Sequence, residues 1–188
     1  MIRTFIAIKI PESYRQPIGE LLNEFKATGA AVRWVKPESI HITLKFLGNI
    51  KEELVDEIAM KISESVGNRN SFELQAKGCG AFPSIKSPRV VWLGIHGQVD
   101  FLGELQSDLE KRLVPLGFAP ENRPFKAHLT LGRLKGNRGK AKLISMLREK
   151  RDFMLDPFQV KEVVLYRSDL KPTGAEYTAL KVLPFGPE

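Results

Sequence analysis

The chain has 188 residues, of which 43% are hydrophobic and 27% are charged, as in an ordinary globular protein. A chain of this length forms one domain, or two small lobes with a shared core, and needs no disulfide bonds to be stable. Its one cysteine, Cys79, agrees with that, and we expect a reducing, cytoplasmic setting. The 29 basic and 22 acidic residues give a net charge of +7. Such a charge favours a polyanionic partner, nucleic acid first, although solubility alone explains it equally well.

The first segment, MIRTFIAIKI, predicts a buried strand and not a leader peptide or a membrane span. Arg3 and Lys9 interrupt the apolar run, which is far shorter than the ~20 residues that a bilayer span needs. It also lacks a small-residue cleavage site. We therefore expect no membrane association.

The predicted elements follow the same order twice, at a spacing of about 87 residues. In the first half, a strand, a helix, a strand, a helix and a strand begin near Phe5, Tyr14, His41, Lys51 and Ser71. In the second half, the same five elements begin near Val90, Val99, His128, Gly139 and Pro157. A last strand at 178–185 has no counterpart, and we expect it to close a sheet edge.

This duplication predicts two similar lobes related by an approximate two-fold axis. We expect a single domain, 1–188, with lobes formed by the halves 1–83 and 88–188 and joined by the Pro- and Lys-rich segment 82–89. Leucines at three- and four-residue spacing from Leu102 to Leu113 indicate a helix face that belongs to the core.

The most specific signal in the chain is the pattern His-aliphatic-Thr-Leu, which occurs twice. The two histidines, His41 and His128, are 87 residues apart and are two of only three in the chain. Successive side chains of a strand point to opposite faces, so each histidine shares a face with the following threonine, Thr43 or Thr130. One such motif carries little information. Two copies at equivalent positions predict that both histidines face one cleft and act together in catalysis.

Acid–base chemistry on a phosphate suits this pair of motifs. Cleaving a phosphodiester requires that one proton be taken from the nucleophile and another be given to the leaving oxygen, and histidine does both near neutral pH. Two histidines can do this without a metal or cofactor if other groups stabilise the phosphoryl oxygens. We predict that Thr43 and Thr130 bind the phosphate through their hydroxyl groups, with help from a nearby Lys or Arg.

Two basic residues are candidates for that charge, and both are weaker predictions than the histidines. Lys45 lies two residues past Thr43, so it stays on the histidine face if the strand is regular. Arg133 lies five residues past His128 and points to the opposite face, unless Gly132 introduces a bulge.

Other chemistries fit the sequence less well. Zinc sites generally require three or four Cys, His or acidic ligands, and within four residues of either motif the only such residue is Glu38. No nucleophile elbow, P-loop or dinucleotide-binding glycine pattern is present. His96 has no counterpart in the other half, and we interpret it as structural or solvated. We therefore expect no metal site and no cofactor.

The segments WVKPESIHITLKFLGNI, FKAHLTLGRLK and GCGAFPSIKSPRVVWLGI resemble the signature regions of the two-histidine (2H) phosphoesterases. Within that superfamily the chain most resembles the RNA 2',3'-cyclic phosphodiesterases, long known as 2'-5' RNA ligases. The similarity covers nearly the whole chain, and both His-x-Thr motifs match fully.

The resemblance implies a bilobal α+β fold with antiparallel sheets that line a central cleft. It implies hydrolysis of an RNA 2',3'-cyclic phosphate to a 2'-phosphomonoester, with His41 as proton donor and His128 as proton acceptor. It also implies that Thr43 and Thr130 hold the phosphate, and it strengthens Arg133, because the family often carries a basic residue there. The expected partner is RNA with a 2',3'-cyclic phosphate end, such as a transfer RNA fragment, bound by a monomer.

Two alternatives remain open from the sequence. One is a 2'-5' RNA ligase that joins a cyclic phosphate end to a 5'-hydroxyl end, since the same residues would serve both reactions. The other is a non-catalytic protein that binds RNA ends, in which aromatic residues such as Trp34 and Phe82 stack on bases. Packing is the simpler role for both aromatic residues.

Overall fold

The computed structural model of the protein describes residues 1–172 and 174–186. Within them, the α-helices are α1 (Arg15–Ala27), α2 (Val55–Val66), α3 (Val99–Leu113) and α4 (Lys140–Glu149). The strands are β1 (Ile2–Lys9), β2 (Val32–Trp34), β3 (His41–Ile50), β4 (Phe72–Pro83), β5 (Pro88–Gly97), β6 (His128–Leu134), β7 (Phe158–Val160), β8 (Glu162–Lys171) and β9 (Gly174–Pro184).

These strands form one curled antiparallel sheet in the order β7-β4-β5-β6-β3-β1-β8-β9, and β2 also pairs with β6. The predicted antiparallel α+β fold is therefore confirmed. Strands β6 and β3, which carry the two His-x-Thr motifs, are neighbours in the middle of the sheet. The predicted last strand is β9, and it lies at the sheet edge next to β8.

The predicted repeat of strand, helix, strand, helix and strand is present in both halves of the chain, as β1-α1-β3-α2-β4 and β5-α3-β6-α4-β8. The third strand of each half, however, pairs with the first strand of the other half: β4 with β5, and β8 with β1. The connection between β4 and β5 is short enough to make them a hairpin, so they must be neighbours. The halves 1–83 and 88–188 are thus sequence repeats that do not coincide with the two sides of the sheet.

One face of the central strands packs into the hydrophobic core. Ile42 and Leu44 of β3 and Leu129 and Leu131 of β6 are all buried there. The predicted leucine face of α3 is also fully buried. Among the described residues, no helix combines the length and the apolar character that crossing a bilayer requires.

A β-bulge follows the threonine of each His-x-Thr motif. In β3, Thr43 and Lys45 pair with consecutive residues of β1, so Leu44 is an extra residue. In β6, Thr130 and Gly132 pair with consecutive residues of β5, so Leu131 is the extra residue at the equivalent position. An extra residue reverses the faces of the side chains that follow it.

The first bulge turns Lys45 away from the histidine face, so its predicted place beside the phosphate is wrong. Its ammonium group is buried, 2.5 Å from the carboxylate of Glu110 on α3 and 2.9 Å from the carbonyl oxygen of Ala119. Glu110 also accepts hydrogen bonds from Gln106 and from the backbone N–H of Glu121. This network ties β3 to α3 and to the segment that leads into β6.

We expect Lys45→Met to lower the free energy of unfolding by about 3–5 kcal/mol, because it leaves the Glu110 carboxylate buried without its partner. Urea unfolding measures the change. The double variant Lys45→Met/Glu110→Leu should recover much of the loss. As a control, Lys181→Met breaks an exposed ion pair with Asp56 and should cost at most about 1 kcal/mol. Equal losses for Lys45→Met and Lys181→Met would contradict the buried pairing.

Candidate active site

The two His-x-Thr motifs lie side by side across the centre of the sheet. Strands β3 and β6 pair with Ile42 opposite Leu129. In an antiparallel pair the flanking residues then also lie opposite each other, so His41 lies beside Thr130 and Thr43 beside His128. Ile42 and Leu129 point into the core, and the histidines and threonines lie on the other, partly exposed face. The structure therefore brings these four predicted residues together.

The two imidazole rings are held in the same way. His41 donates a hydrogen bond from Nδ1 to the backbone oxygen of Ser39 at 2.8 Å, and His128 donates one from Nδ1 to the backbone oxygen of Lys126 at 2.6 Å. A carbonyl oxygen only accepts, so the hydrogen of each neutral ring is on Nδ1. This leaves Nε2 of both rings free to accept a proton or, once protonated, to donate one.

Burial weakens the charged form of both histidines. It lowers the pKa of His41 to about 4, the Ser39 carbonyl acts in the opposite direction, and the charge of His128 lowers the pKa further. Burial also lowers the pKa of His128, opposed by the Lys126 carbonyl and reinforced by the positive charge of Arg133. Both rings are therefore held in the neutral form near neutral pH when the cleft contains only water.

The second bulge brings Arg133 to the histidine face. In a regular strand Arg133 would point to the opposite face, as the sequence analysis noted. Its guanidinium is exposed, yet its charge lowers the pKa of His128. The charge of Arg133 also acts on Tyr177. Burial raises the pKa of the Tyr177 hydroxyl, and the positive charges of Arg3 and Arg133 lower that pKa. Arg133 thus stays a candidate phosphate ligand, and Arg3 is a basic residue near the cleft that the sequence analysis missed.

Three aromatic rings that the sequence analysis also missed surround His41. The ring centroids of Phe5, Tyr177 and Tyr166 lie 4.7, 5.2 and 6.5 Å from that of the imidazole. Phe5 shares β1 with the predicted core residues, and alternation along that strand could have placed it on the cleft face. Tyr166 and Tyr177 reach the site only because β8 and β9 pair beyond β1, a long-range arrangement that local sequence does not encode.

Different aromatic residues lie on the side of His128. Phe82 packs edge-on against this imidazole, with ring centroids 4.9 Å apart, and Trp92 lies directly opposite Thr130 on β5. Trp34 stacks on Phe25 with centroids 5.7 Å apart, which gives it the packing role considered simplest. Within residues 1–172 and 174–186, no group of three or more His, Cys, Asp or Glu residues is placed to hold a metal ion.

We expect His41 to make the protein less stable in mild acid. The pKa of His41 in the folded protein, about 4, lies below the ordinary 6.5, so the unfolded chain takes up the proton first. The contribution of His41 to the free energy of unfolding is complete above pH 6.5 and is lost as the pH falls toward 4. Linkage gives a loss of about 2 kcal/mol between pH 7 and pH 5.

Urea unfolding at both pH values checks this expectation. The His41→Gln variant should lose about 2 kcal/mol less than the wild-type protein between pH 7 and pH 5. The matched control, His96→Gln on the exposed end of β5, should follow the wild type. An equal loss in His41→Gln and the wild type would contradict the burial of His41.

The chain shares its sequence and its fold with known phosphoesterases. Residues 8–92 and 96–177 match the LigT-like phosphoesterase family. The RNA 2',3'-cyclic phosphodiesterase of Methanothermobacter thermautotrophicus is 35% identical over 181 residues, which cover 96% of this chain and 97% of the relative. The RNA 2',3'-cyclic phosphodiesterase of Thermotoga maritima is 37% identical, with 95% and 93% covered.

Solved structures agree with the sequence relatives. A crystal structure from Thermus thermophilus aligns over 100% of both chains with a TM-score of 0.80 and 26% identity. The crystal structure of Escherichia coli LigT complexed with 3'-AMP aligns over 98% of both chains with a TM-score of 0.72 and 25% identity. These matches confirm the resemblance first seen in the His-x-Thr segments: the chain belongs to the LigT-like phosphoesterase family of the two-histidine phosphoesterases.

Proposed function

We propose that this chain hydrolyses RNA 2',3'-cyclic phosphate ends to 2'-phosphomonoesters, with His41 and His128 as its acid–base pair. The observation that carries the proposal is the antiparallel contact of β3 and β6, which sets the two His-x-Thr motifs on one face. The curated relatives named for this activity, which match nearly the full length of the chain, support the same substrate.

The two histidines have opposite tasks in this reaction. Water attacks phosphorus, a new P–O bond forms, and the bond from phosphorus to the ribose 3'-oxygen breaks. His128 accepts the proton of the attacking water through Nε2, and His41 gives a proton from Nε2 to the departing 3'-oxygen. The resemblance to the family supplies this order of roles, since the near-symmetric hydrogen bonds of the two rings favour neither order.

Hydroxyl groups and one guanidinium stabilise the phosphate. Thr43 and Thr130 lie beside the two histidines and would donate hydrogen bonds to the phosphoryl oxygens, on which negative charge grows during attack. Arg133 adds a positive charge from the rim of the same face. Lys45 takes no part, because its ammonium group is paired with Glu110 in the core.

The low pKa of His41 fits its role as donor once a phosphate is bound. A phosphodiester anion next to the buried imidazole favours the protonated ring, and the same exclusion of water that lowers the pKa in the free protein strengthens this attraction. His41 therefore gains its proton when substrate enters. His41 is thus neutral in the empty cleft and carries the proton that it donates only when substrate is bound.

Hydrolysis of an oligonucleotide with a 2',3'-cyclic phosphate end tests the proposal. His41→Gln and His128→Gln should each lower kcat by about 10²–10⁴-fold, because each removes one proton transfer. Both variants should still bind the oligonucleotide. Chromatography against 2'- and 3'-phosphate standards should show the 2'-phosphate as the product, and activity should persist in EDTA.

Two results would count against this proposal. Loss of activity in EDTA that a divalent ion restores would indicate metal-dependent chemistry. Absence of turnover, with equal affinity for RNA with and without the cyclic phosphate, would favour the non-catalytic alternative. Lys161→Met, in the exposed segment before β8, is the control for both histidine variants.

Arg133→Met should raise KM for the same substrate by about 10- to 150-fold, because a charge-assisted hydrogen bond to the phosphate contributes roughly 1.5–3 kcal/mol when intact. Steady-state kinetics at fixed ionic strength measures the change. Lys161→Met, which removes an equal charge from the exposed segment before β8, is the control. Equal KM values for the two variants would remove Arg133 from the site.

A further inference from the structure

Phe46 is the one aromatic side chain among the described residues that is mostly exposed to solvent, at 62%. It pairs with Phe5 of β1, and the two ring centroids lie 5.9 Å apart. The ring of Phe5 also lies against the imidazole of His41. Phe46 is therefore on the histidine face, at the open end of the aromatic cluster that surrounds His41.

Phe46 also occupies the position that is equivalent to Arg133 in the duplicated chain. It lies five residues past His41, as Arg133 lies five residues past His128. A bulge follows the threonine of each motif, and each bulge brings this fifth residue to the histidine face. One copy of the motif thus presents a guanidinium group at that position, and the other copy presents an apolar ring.

The two parts of the proposed substrate differ in the same way. His41 gives its proton to the departing 3'-oxygen, so the ribose and the base that it carries lie toward His41. A cation binds charged phosphoryl oxygens, whereas a base stacks on a flat aromatic ring. The duplicated position therefore provides Arg133 for the phosphate and Phe46 for the base.

The other aromatic rings near His41 offer less surface to a base. Phe5 is buried, because His41, Tyr166 and Tyr177 all pack against it. Tyr166 and Tyr177 are only partly exposed. A base that lies on Phe46 would continue this cluster and would remove the exposed ring from water.

We propose that Phe46 stacks on the base of the nucleotide that bears the cyclic phosphate and gives the protein a preference for a purine there. The proposal rests on the proposed function and adds a specificity-determining residue to it. Stacking contacts the face of a base and not its hydrogen-bonding edge, so every base is accepted. Adenine and guanine stack more strongly, because their two fused rings bury more apolar surface on the ring of Phe46.

The oligonucleotide assay described above tests the proposal when the base on the last ribose is varied. For the wild-type protein, kcat/KM should be highest with adenine, a few-fold lower with uracil and lowest with no base. Phe46→Ala should lower kcat/KM for the adenine end by roughly 5- to 150-fold, the value of one stacked base, and should leave the abasic end unchanged.

Three further variants separate stacking from a structural role. Phe46→Leu keeps an apolar contact with Phe5 but has no aromatic ring, so it should behave like Phe46→Ala. Phe46→Trp should retain the purine preference. Met60→Ala removes a similarly exposed apolar side chain from α2 and should leave all three kcat/KM values unchanged. Equal losses for the adenine and abasic ends in Phe46→Ala would overturn the proposal, as would no loss for the adenine end.

Binding gives a readout that needs no turnover. Fluorescence anisotropy of labelled oligonucleotides that end in a 2'-phosphate should give a Kd roughly 5- to 150-fold lower with a terminal adenine than with an abasic end. Phe46→Ala should remove most of that difference.

These Kd values distinguish the failure of this proposal from the failure of the proposed function. Equal Kd values for the two ends, or a difference that persists in Phe46→Ala, would overturn the role of Phe46 even if cyclic phosphate ends are hydrolysed. A difference in Kd that Phe46→Ala removes would support the role of Phe46 even if no end is hydrolysed and the proposed function fails.

Discussion

The contact between β3 and β6, where Ile42 lies opposite Leu129, is the constraint on which the rest of the site depends. It joins the two copies of one motif in antiparallel register, so each histidine faces the threonine of the other copy. Because Ile42 and Leu129 are buried, a shift by one residue would turn the histidines into the core. The same apolar packing that stabilises the fold therefore fixes the register of the histidines and threonines proposed to act in catalysis.

The position of this contact in the sheet determines how far the two imidazole rings are shielded from water, and so their pKa values. Aromatic rings on one side and the opposite motif on the other remove water from His41, and burial lowers its pKa to about 4. A hydrogen bond to a carbonyl two residues upstream fixes the tautomer of both rings. The site thus controls proton position by backbone geometry and proton affinity by burial.

Much of this could be predicted from the sequence, because the duplication repeats strong local signals. The His-x-Thr pattern predicted that each histidine shares a strand face with its threonine. The apolar spacing in α3 predicted a helix that packs against the core. The prediction for Lys45 was wrong because strand parity assumes a regular strand, and the bulge at Leu44 arises from pairing with β1. Trp92 and Tyr166 were missed for a related reason, since pairing between distant strands brings them to the site.

The two bulges also have unlike surroundings: an ion pair follows the first, whereas Gly132 packs closely against Trp34 after the second.

The exchange of third strands between the halves has a consequence for how such a protein could arise. Neither 1–83 nor 88–188 contains all the neighbours of its own strands, since β4 pairs with β5 and β8 pairs with β1. An ancestral repeat that paired its strands as they pair here would have needed a second copy, with each copy supplying its third strand to the sheet of the other. Its cleft would then have formed between two subunits, and gene fusion would have converted an interface between two chains into the interior of one.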